Sequence, residues 1–325
     1  MGESEGARQR ASYGRIVITG ASGFIGSHLV PALVGADFEI VCILEPGAEN
    51  PFVGTRTFPV DICIDQDLSA ALSGADAVVH LAARNHVLRE TEKNPLAAYR
   101  RVNVEGTRNV IRAASVAGAK VFVLLSSVKA MGEESERVLN EESPSAPKSN
   151  YGISKRESEE VVRNETNGKR MSSVILRLPM VYGPGNKGNL PRMIRWAESG
   201  YPFPIFHPEN LRSMVYVGNV VAGIMAIIKT FPQRSATYIL KDREDYSTRR
   251  IYDAICNALG KKPCYFPVPS LAVRVGGWLS EDFRKITGSF RVSSAKFEED
   301  LHFTPPFSLE DGVGKTVEWY KRSAR

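Results

Sequence analysis

Short apolar runs alternate with amphipathic segments through the first half of the chain. The apolar runs are rich in Val, Ile and Leu and carry few polar residues, which is typical of strands buried on both faces of a parallel sheet. We predict these strands at 15–19, 39–44, 57–60, 77–82, 120–127 and 172–178. Between the strands, apolar positions recur at helical spacing in 24–34, 67–72, 95–117 and 151–165. The alternation predicts an α/β fold, with a doubly wound parallel sheet covered by helices on both faces.

The pattern changes after about residue 182. Pro and Gly become frequent there, as in YGPGNKGNLP and GYPFPIFHP, and the predicted strands become short. We therefore predict a first domain at 14–182 and a smaller mixed α/β lobe at 183–325, with some segments of the lobe returning to the main sheet. Residues 1–13 are polar and are predicted to form a disordered arm. The longest apolar run, 220–228, is too short to cross a bilayer and is predicted to be a packed helix.

Composition and charge restrict the class of partner. The chain has 325 residues, of which 43% are apolar and 24% charged, as in an ordinary globular protein. Its net charge of +6 suits an anionic ligand, but the basic residues are dispersed among 36 acidic ones. The dispersion argues against nucleic acid and favours a basic cleft for a small phosphorylated ligand.

The four cysteines and five histidines form no metal-binding pattern, and no two cysteines have the CxxC spacing. We therefore expect no metal site, and we expect the cysteines to be reduced thiols. With no signal segment and no span for a membrane, the chain is expected to be cytoplasmic.

The stretch ITGASGFIGSHL, residues 18–29, leaves the first predicted strand and enters the first predicted helix. Gly20 permits a tight turn, Gly23 lets a pyrophosphate approach the backbone, and Gly26 allows close packing of helix and strand. The free amides and the dipole at the start of the helix favour phosphate. A simple turn between strand and helix is the alternative. The position of the glycines near the start of the chain favours a dinucleotide site of the Rossmann type.

Acidic residues at the next strand ends bear on the choice of cofactor. A carboxylate after the second strand would bind the adenosine ribose and repel the 2′-phosphate of NADP. Glu45 is the candidate, one position beyond the usual place, which Leu44 occupies. No Arg or Lys closely follows the strand, so NAD is favoured while NADP stays open. Asp61, after the third strand, is placed to meet the adenine edge, and a helix N-cap is its equal alternative.

Tyr151 and Lys155 in the stretch YGISK are four residues apart, so they share one face of a predicted helix. A free phenol, with a pKa of about 10, is a poor base at neutral pH. A nearby ammonium and an oxidised nicotinamide would lower that pKa and let Tyr151 exchange a proton with a sugar hydroxyl or ketone. Ser127 ends the fifth predicted strand and could bind the same oxygen. This spacing is common on solvated helix faces, but the preceding glycine turn and the strand ending in LLSS favour a catalytic site.

Together, these motifs resemble those of the extended short-chain dehydrogenases/reductases, the NAD-dependent nucleotide-sugar epimerases and dehydratases. The resemblance runs from about residue 14 to residue 322. It rests on TGASGFIGSHL, HLAA, VNVEGTRNVI, LLSSVKAMG, YGISK, LRLPMVYGPG and RSMVYVGNV.

The resemblance implies roles for particular residues. The implied catalytic residues are Ser127, Tyr151 and Lys155. The implied cofactor residues are Gly20, Gly23, Phe24, Ile25, Gly26, Glu45, Asp61, Ile62, Leu81, Ala82, Ala83, Asn103, Tyr151, Lys155 and Pro179. The implied substrate residues are Ser127, Val128, Asn189 and Arg212. The guanidinium of Arg212 suits a diphosphate, although a surface charge is its alternative reading.

Departures from the family patterns narrow the reaction. The 4,6-dehydratases carry an Asp-Glu pair directly after the active-site hydroxyl, where this chain has Val128 and Lys129, so we do not expect dehydration. Ordinary UDP-hexose 4-epimerases have a Tyr and an Asn where this chain has Met131 and Met180. The sequence motifs of this chain are most similar to those of a bacterial branch of the family whose enzymes make O-antigen and capsule sugars. That branch includes enzymes that resemble UDP-glucose 4-epimerases and UDP-N-acetylquinovosamine dehydrogenases.

The resemblance therefore implies an NAD(P)-dependent oxidoreductase or epimerase that acts at C4 of a UDP-linked sugar. A reductase of hydrophobic ketones or aldehydes is one alternative. A non-catalytic NAD-binding sensor is another, and the presence of Tyr151 counts against it. The resemblance also implies a homodimer formed through the helices near 95–117 and 150–166.

Overall fold

The structure is a computed structural model that describes residues 14–64, 67–85, 91–135, 137–205, 210–267 and 289–323. The arm expected at 1–13 lies outside these residues.

A seven-stranded sheet forms the centre of the fold. Its strands are β1 (Arg15–Thr19), β2 (Glu39–Leu44), β3 (Arg56–Pro59), β4 (Ala77–His80), β5 (Val121–Ser127), β6 (Ser172–Leu178) and β10 (Ala236–Ile239). They lie in the order β10-β6-β5-β4-β1-β2-β3, and every neighbouring pair is parallel. Except for the exposed edge strand β3, these strands are largely buried, because helices cover both faces. The predicted doubly wound sheet is confirmed.

Ten α-helices are found in the described residues. They are α1 (Gly26–Gly35), α2 (Ser69–Leu72), α3 (Pro95–Arg100), α4 (Thr107–Val116), α5 (Asn150–Thr166), α6 (Asn189–Ser199), α7 (Val217–Thr230), α8 (Thr248–Leu259), α9 (Ala295–Leu301) and α10 (Leu309–Ser323). Apolar residues of α1 and α7 pack on one face of the main sheet, and those of α4 and α5 pack on the other. The predicted packed helix at 220–228 lies within α7.

The predicted long helix at 95–117 is present but not uniform. Its two α-helical parts, α3 and α4, are joined by a π-helical turn over Arg101–Gly106. A π-turn inserts an extra residue into a helix and rotates the side chains that follow it. A short 3₁₀ turn, Val128–Ala130, follows β5 directly.

The later part of the chain adds two small sheets. Strand β9 (Arg212–Tyr216) lies between β7 (Met180–Tyr182) and β11 (Asp245–Tyr246). Strand β8 (Phe203–Ile205) pairs with β12 (Tyr265–Pro267). Strand β10 belongs instead to the main sheet, beside β6. The division of the chain near residue 182 stays a prediction.

Candidate active site

The turn between β1 and α1 requires glycine because backbone segments approach it closely. Gly20 has a φ of 69°, and a Cβ atom there would lie 2.6 Å from the amide nitrogen of Ala82. A Cβ atom at Gly26 would lie 2.2 Å from the carbonyl oxygen of Ala21. Gly23 is exposed, and its amide donates to the carbonyl of Gly20 over 3.0 Å. The glycines therefore give the turn the compact form, with Gly23 accessible, that a pyrophosphate at a helix start needs.

The flanking residues connect this turn to a second loop. The ring of Phe24 meets that of His28 edge-on at 5.7 Å, and a ring nitrogen of His28 lies 2.8 Å from the carbonyl oxygen of Pro184. Ile25 packs against the apolar core between the main sheet and helices α1 and α7, and also against the apolar core formed by the later part of the chain. The start of α1 is thereby fixed to the YGPG loop that follows β7.

Glu45 and Asp61 lie at the carboxyl ends of adjacent strands. Glu45 is exposed directly after β2. Asp61 follows β3, accepts the Cys63 amide at 2.8 Å, and lies 3.9 Å from the Arg101 guanidinium. The hydrogen bond to Cys63 closes a local turn, and α2 begins only at Ser69. Asp61 therefore does not cap α2, so that alternative was wrong.

Ile62 is buried and packs against Gly106 of the π-helical turn. A Cβ atom added to Gly106 would lie 3.0 Å from the Cδ1 atom of Ile62. The π-helical turn thus contacts the segment after β3 through Gly106 and the loop after β4 through Asn103.

Asn103 fastens the loop after β4 to helix α5. Its side-chain oxygen accepts the Arg84 amide at 2.8 Å, and its nitrogen donates to the Arg84 carbonyl at 3.1 Å and to the Ser154 hydroxyl at 2.9 Å. Asn103 is 1% exposed. Its polar atoms are engaged in this clamp, which fixes the backbone of the predicted cofactor residues Leu81, Ala82 and Ala83.

Ser127, Tyr151 and Lys155 meet at the carboxyl end of β5. The Ser127 hydroxyl interacts with the phenol of Tyr151 and favours its ionised form. The ammonium of Lys155 donates to the carbonyl of Leu125 over 2.8 Å. Gly152 permits this approach of helix and strand end, because a Cβ atom there would lie 2.5 Å from the carbonyl oxygen of Lys129.

The protonation of the phenol and the ammonium is set mainly by burial. Burial raises the pKa of Tyr151 to about 12, the interaction with Ser127 opposes the rise, and Tyr99 adds to it. Burial also lowers the pKa of Lys155 to about 8, against the charge of Glu159. We expected a neighbouring ammonium to lower the pKa of the phenol, but desolvation dominates that pKa in the structure and Lys155 has no counterpart effect on it.

Four remaining predicted residues lie at strand or helix ends. Pro179 is buried directly after β6, and Val128 is 4% exposed directly after Ser127. Asn189 is exposed as the first residue of α6. Arg212 begins β9 and is half-buried, and burial lowers its pKa. Asn189 and Arg212 belong to other elements than the three residues at β5 and α5, and their contact with a nucleotide stays a prediction.

Sequence reasoning missed a set of polar residues beneath the site. Glu159, one turn beyond Lys155 on α5, is fully buried and paired with Arg177 of β6 at 2.7 Å. The i, i+4 spacing from Lys155 could have revealed Glu159, and its place within an apolar strand could have revealed Arg177.

The residues at the glycine turn fit a dinucleotide. Added Cβ atoms would fill the turn at Gly20 and Gly26, while Gly23 is exposed at the start of a helix that offers amide donors. These glycines would hold the pyrophosphate, Glu45 would hold the adenosine ribose, and Tyr151 and Lys155 lie at the strand edge where such folds place the nicotinamide.

Comparisons with known proteins agree with this geometry. The sequence profile described as "NAD dependent epimerase/dehydratase family" matches residues 16–239. A UDP-glucose 4-epimerase of Vibrio cholerae is 32% identical over 309 residues, covering 93% of this chain and 94% of that protein. An N-acetyl-alpha-D-glucosaminyl-diphospho-ditrans,octacis-undecaprenol 4-epimerase of Escherichia coli is 29% identical, with 94% of each chain covered.

Among solved structures, MoeE5 in complex with UDP-glucuronic acid and NAD is similar to this chain with a TM-score of 0.78. The two are 26% identical, and the match covers 95% of this chain and 100% of the other. Among the helices that the structure describes, none combines the length and apolar character needed to cross a membrane.

Proposed function

Because the chain belongs to the NAD-dependent epimerase/dehydratase family, we propose that it is an enzyme acting at C4 of a UDP-linked hexose, as a 4-epimerase or a 4-keto reductase. The observation that supports the proposal is the convergence of Ser127, Tyr151 and Lys155 at the carboxyl end of β5, on the same edge of the sheet as the glycine turn after β1.

Each of these three residues has a role that its position supports. NAD supplies the acceptor for the hydride that leaves C4 when the sugar hydroxyl is oxidised. Tyr151 takes the proton of that hydroxyl, and Ser127 donates a hydrogen bond to the same oxygen. Lys155 stabilises the phenolate by its charge. In the opposite direction Tyr151 would return the proton to the 4-keto oxygen, which would complete either epimerisation or net reduction.

The relatives support a diphosphate-linked sugar as substrate. The Vibrio cholerae relative is a UDP-glucose 4-epimerase, and the Escherichia coli relative acts on a sugar joined through a diphosphate to undecaprenol. Val128 and Lys129 follow Ser127, in place of the acidic pair expected of a dehydratase. The proposal therefore gives no role to dehydration, and it favours a sugar nucleotide over a hydrophobic ketone.

The test is turnover of a panel of sugar nucleotides. The purified chain is incubated with NAD and UDP-glucose, UDP-galactose or their N-acetyl and uronate forms, and inversion at C4 is followed by proton NMR. A second arm supplies NADH and a UDP-4-keto sugar. We expect Tyr151→Phe to lower turnover at least about 100-fold, since a general acid–base group contributes that much or more.

Tyr320→Phe, a change in the half-buried tyrosine near the end of α10, is the matched control and should leave turnover unchanged. The proposal is wrong if no UDP-sugar is converted in either arm. It is also wrong if Tyr151→Phe retains the parent rate. Conversion of a diphosphoundecaprenol-linked sugar alone would move the substrate from the nucleotide to the lipid carrier.

We also propose a homodimer and a cytoplasmic location. Helices α3, α4 and α5 lie side by side, and Arg100 of α3 forms a bidentate ion pair with Glu157 of α5 at 2.5–3.1 Å across their outer face. Two such faces would make a four-helix interface, and sedimentation should give twice the 35.8 kDa of one chain. All four cysteines are free, as expected in a reducing compartment.

A further inference from the structure

Glu159 is a fully buried carboxylate that the reaction above does not use. It is 0% exposed and accepts four hydrogen bonds. The donors are the Ser126 hydroxyl at 2.6 Å, Nε and Nη2 of Arg177 at 2.9 and 2.7 Å, and Nη2 of Arg163 at 3.0 Å. A buried charge with this many partners is held in one place, and removing it leaves its partners uncompensated.

The hydrogen bonds of Glu159 reach the strand segment that holds the catalytic groups. Ser126, which donates to Glu159, lies between Leu125, whose carbonyl accepts from Lys155, and Ser127, which interacts with Tyr151. Ser126 also pairs with Arg177 across β5 and β6. One carboxylate thus fixes the strand residue between the two that contact Lys155 and Tyr151.

Glu159 also lies one helical turn from Lys155, on the same face of α5. Its negative charge opposes the effect of burial on the Lys155 ammonium. From these contacts we propose that Glu159 is a positioning residue, which keeps Lys155 in its charged form and in reach of Tyr151. The inference rests on the proposed function, because it assumes that a charged Lys155 is needed for turnover.

The other ionisable groups near Lys155 supply no negative charge at neutral pH. Burial raises the pKa of Tyr151 to about 12, so the free phenol is neutral. His80 contacts Thr19 and Thr107 inside the sheet, and burial and then the Lys155 charge lower its pKa to about 3, so it is neutral too. Lys129 adds a positive charge 6.0 Å from the Tyr151 ring.

Glu159 itself remains ionised. Burial alone would raise the pKa of its carboxyl, but the hydrogen bonds and charges of Arg177, the Ser126 hydroxyl and the Arg163 charge hold it below the ordinary value. The negative charge beside Lys155 therefore depends on Arg177, and this dependence makes the proposal testable.

The test compares the alkaline limb of the pH profile of kcat/KM in the parent, Glu159→Gln and Arg177→Met. Lys155 must be protonated, so activity falls as pH rises through its pKa of about 8. Glu159→Gln removes the stabilising charge, and we expect the limb to move about one pH unit lower, with activity recovering towards the parent value at low pH. Arg177→Met removes the guanidinium that holds Glu159 ionised, so burial raises the pKa of Glu159, its charge is weakened, and the limb should move lower as well. Each variant tests the proposal separately if the other does not fold.

A substrate-free measurement separates this proposal from the proposed function. The ammonium of Lys155 is titrated by nitrogen NMR in the same variants and assigned from its loss in Lys155→Met. The titration midpoint should shift in the same directions even if no sugar is turned over. Failure of the UDP-sugar assay in the parent would overturn the proposed function and leave this titration standing.

Glu165→Gln is the matched control, because Glu165 is also on α5 and accepts from Arg112 at 2.8 Å, but near the far end of the helix. The alkaline limb of kcat/KM and the titration midpoint of Lys155 in Glu165→Gln should equal those of the parent. Equal limbs in the parent and Glu159→Gln would overturn the proposal. So would a fall in activity that is uniform across pH in both Glu159→Gln and Arg177→Met, because that is the result of a purely structural role.

Discussion

Lys155 places an ammonium where water cannot solvate it. The residue is 4% exposed, and burial moves its pKa from an ordinary 10.5 to about 8. A pKa that is lower in the folded state means that the charged form destabilises the fold. The residue proposed to be needed for turnover is therefore expected to cost stability.

Lys155→Met should stabilise the chain while it abolishes turnover. The shift from 10.5 to about 8 corresponds to about 3 kcal/mol at pH 7, and loss of the bond to the Leu125 carbonyl offsets about 1 kcal/mol of it. We expect a net gain of about 2 kcal/mol in the free energy of unfolding, measured by urea denaturation.

The pH dependence of that gain follows from the sign of the shift. Below pH 8, Lys155 is charged in both the folded and the unfolded chain, so Lys155→Met has its full stabilising effect there. The effect fades as the pH rises towards 10.5, because Lys155 loses its proton first in the folded chain and then in the unfolded chain. Lys169→Met, at a 42% exposed lysine whose ammonium lies 3.5 Å from the Glu165 carboxylate, should change stability by less than about 0.5 kcal/mol. A loss of stability in Lys155→Met at pH 7 would contradict the argument.

At the scale of elements, the π-helical turn brings Asn103 to the loop after β4. His80, at the end of β4, is held by Thr19 at 2.7 Å and by Thr107 at 3.0 Å. Because Thr107 donates to the Asn103 carbonyl, it accepts from Nε2 of His80, which fixes the tautomer. Sheet, turn and loop thus form one hydrogen-bonded unit around the predicted cofactor residues.

Asn103→Ala removes three hydrogen bonds from that unit, and we expect it to weaken NAD binding about tenfold, because the loop of Leu81, Ala82 and Ala83 loses its clamp to α5. Isothermal titration calorimetry with NAD measures the change. Arg108→Ala, which removes only surface ion pairs on the adjacent helix, should bind NAD like the parent. Equal affinity in both variants would show that the clamp does not shape the cofactor site.

Elements with a strong local pattern were predictable, and those that depend on distant partners were not. The strands at 15–19, 39–44 and 172–178 were found with the same bounds, because each has a centre of consecutive apolar residues. The π-helical turn was missed, since one inserted residue hardly disturbs a helical pattern. Glu159 lies in RESEEVV, which has the composition of a solvated helix face, and only the packing of α5 on β6 buries it.

At the scale of the whole molecule, one buried carboxylate joins the main sheet to the later part of the chain. Asp242 follows β10, the edge strand of the main sheet, and is 0% exposed. It accepts from the Tyr182 hydroxyl at 2.9 Å, the Tyr216 amide at 2.9 Å and the Asn219 side chain at 2.7 Å. Asn219 in turn holds the backbone of Phe307, just before α10. Strands β7, β9 and β10 and helices α7 and α10 thus depend on one residue.

Asp242→Ala should therefore destabilise the chain by about 3 kcal/mol or more, because three buried donors lose their acceptor. Asp242→Asn should cost much less, since its oxygen still accepts from Tyr216 and Asn219, and its nitrogen can donate to the Tyr182 oxygen.

Burial raises the pKa of Asp242, so the ionised form is penalised in the fold at neutral pH. The parent should therefore gain stability relative to the Asn variant as pH falls through the folded pKa, which urea denaturation at several pH values would measure. Asp300→Ala, at an exposed carboxylate of α9, is the control and should cost less than about 1 kcal/mol. If the Ala and Asn variants were equally unstable, the negative charge of Asp242, which both variants lack, would be what holds these elements together.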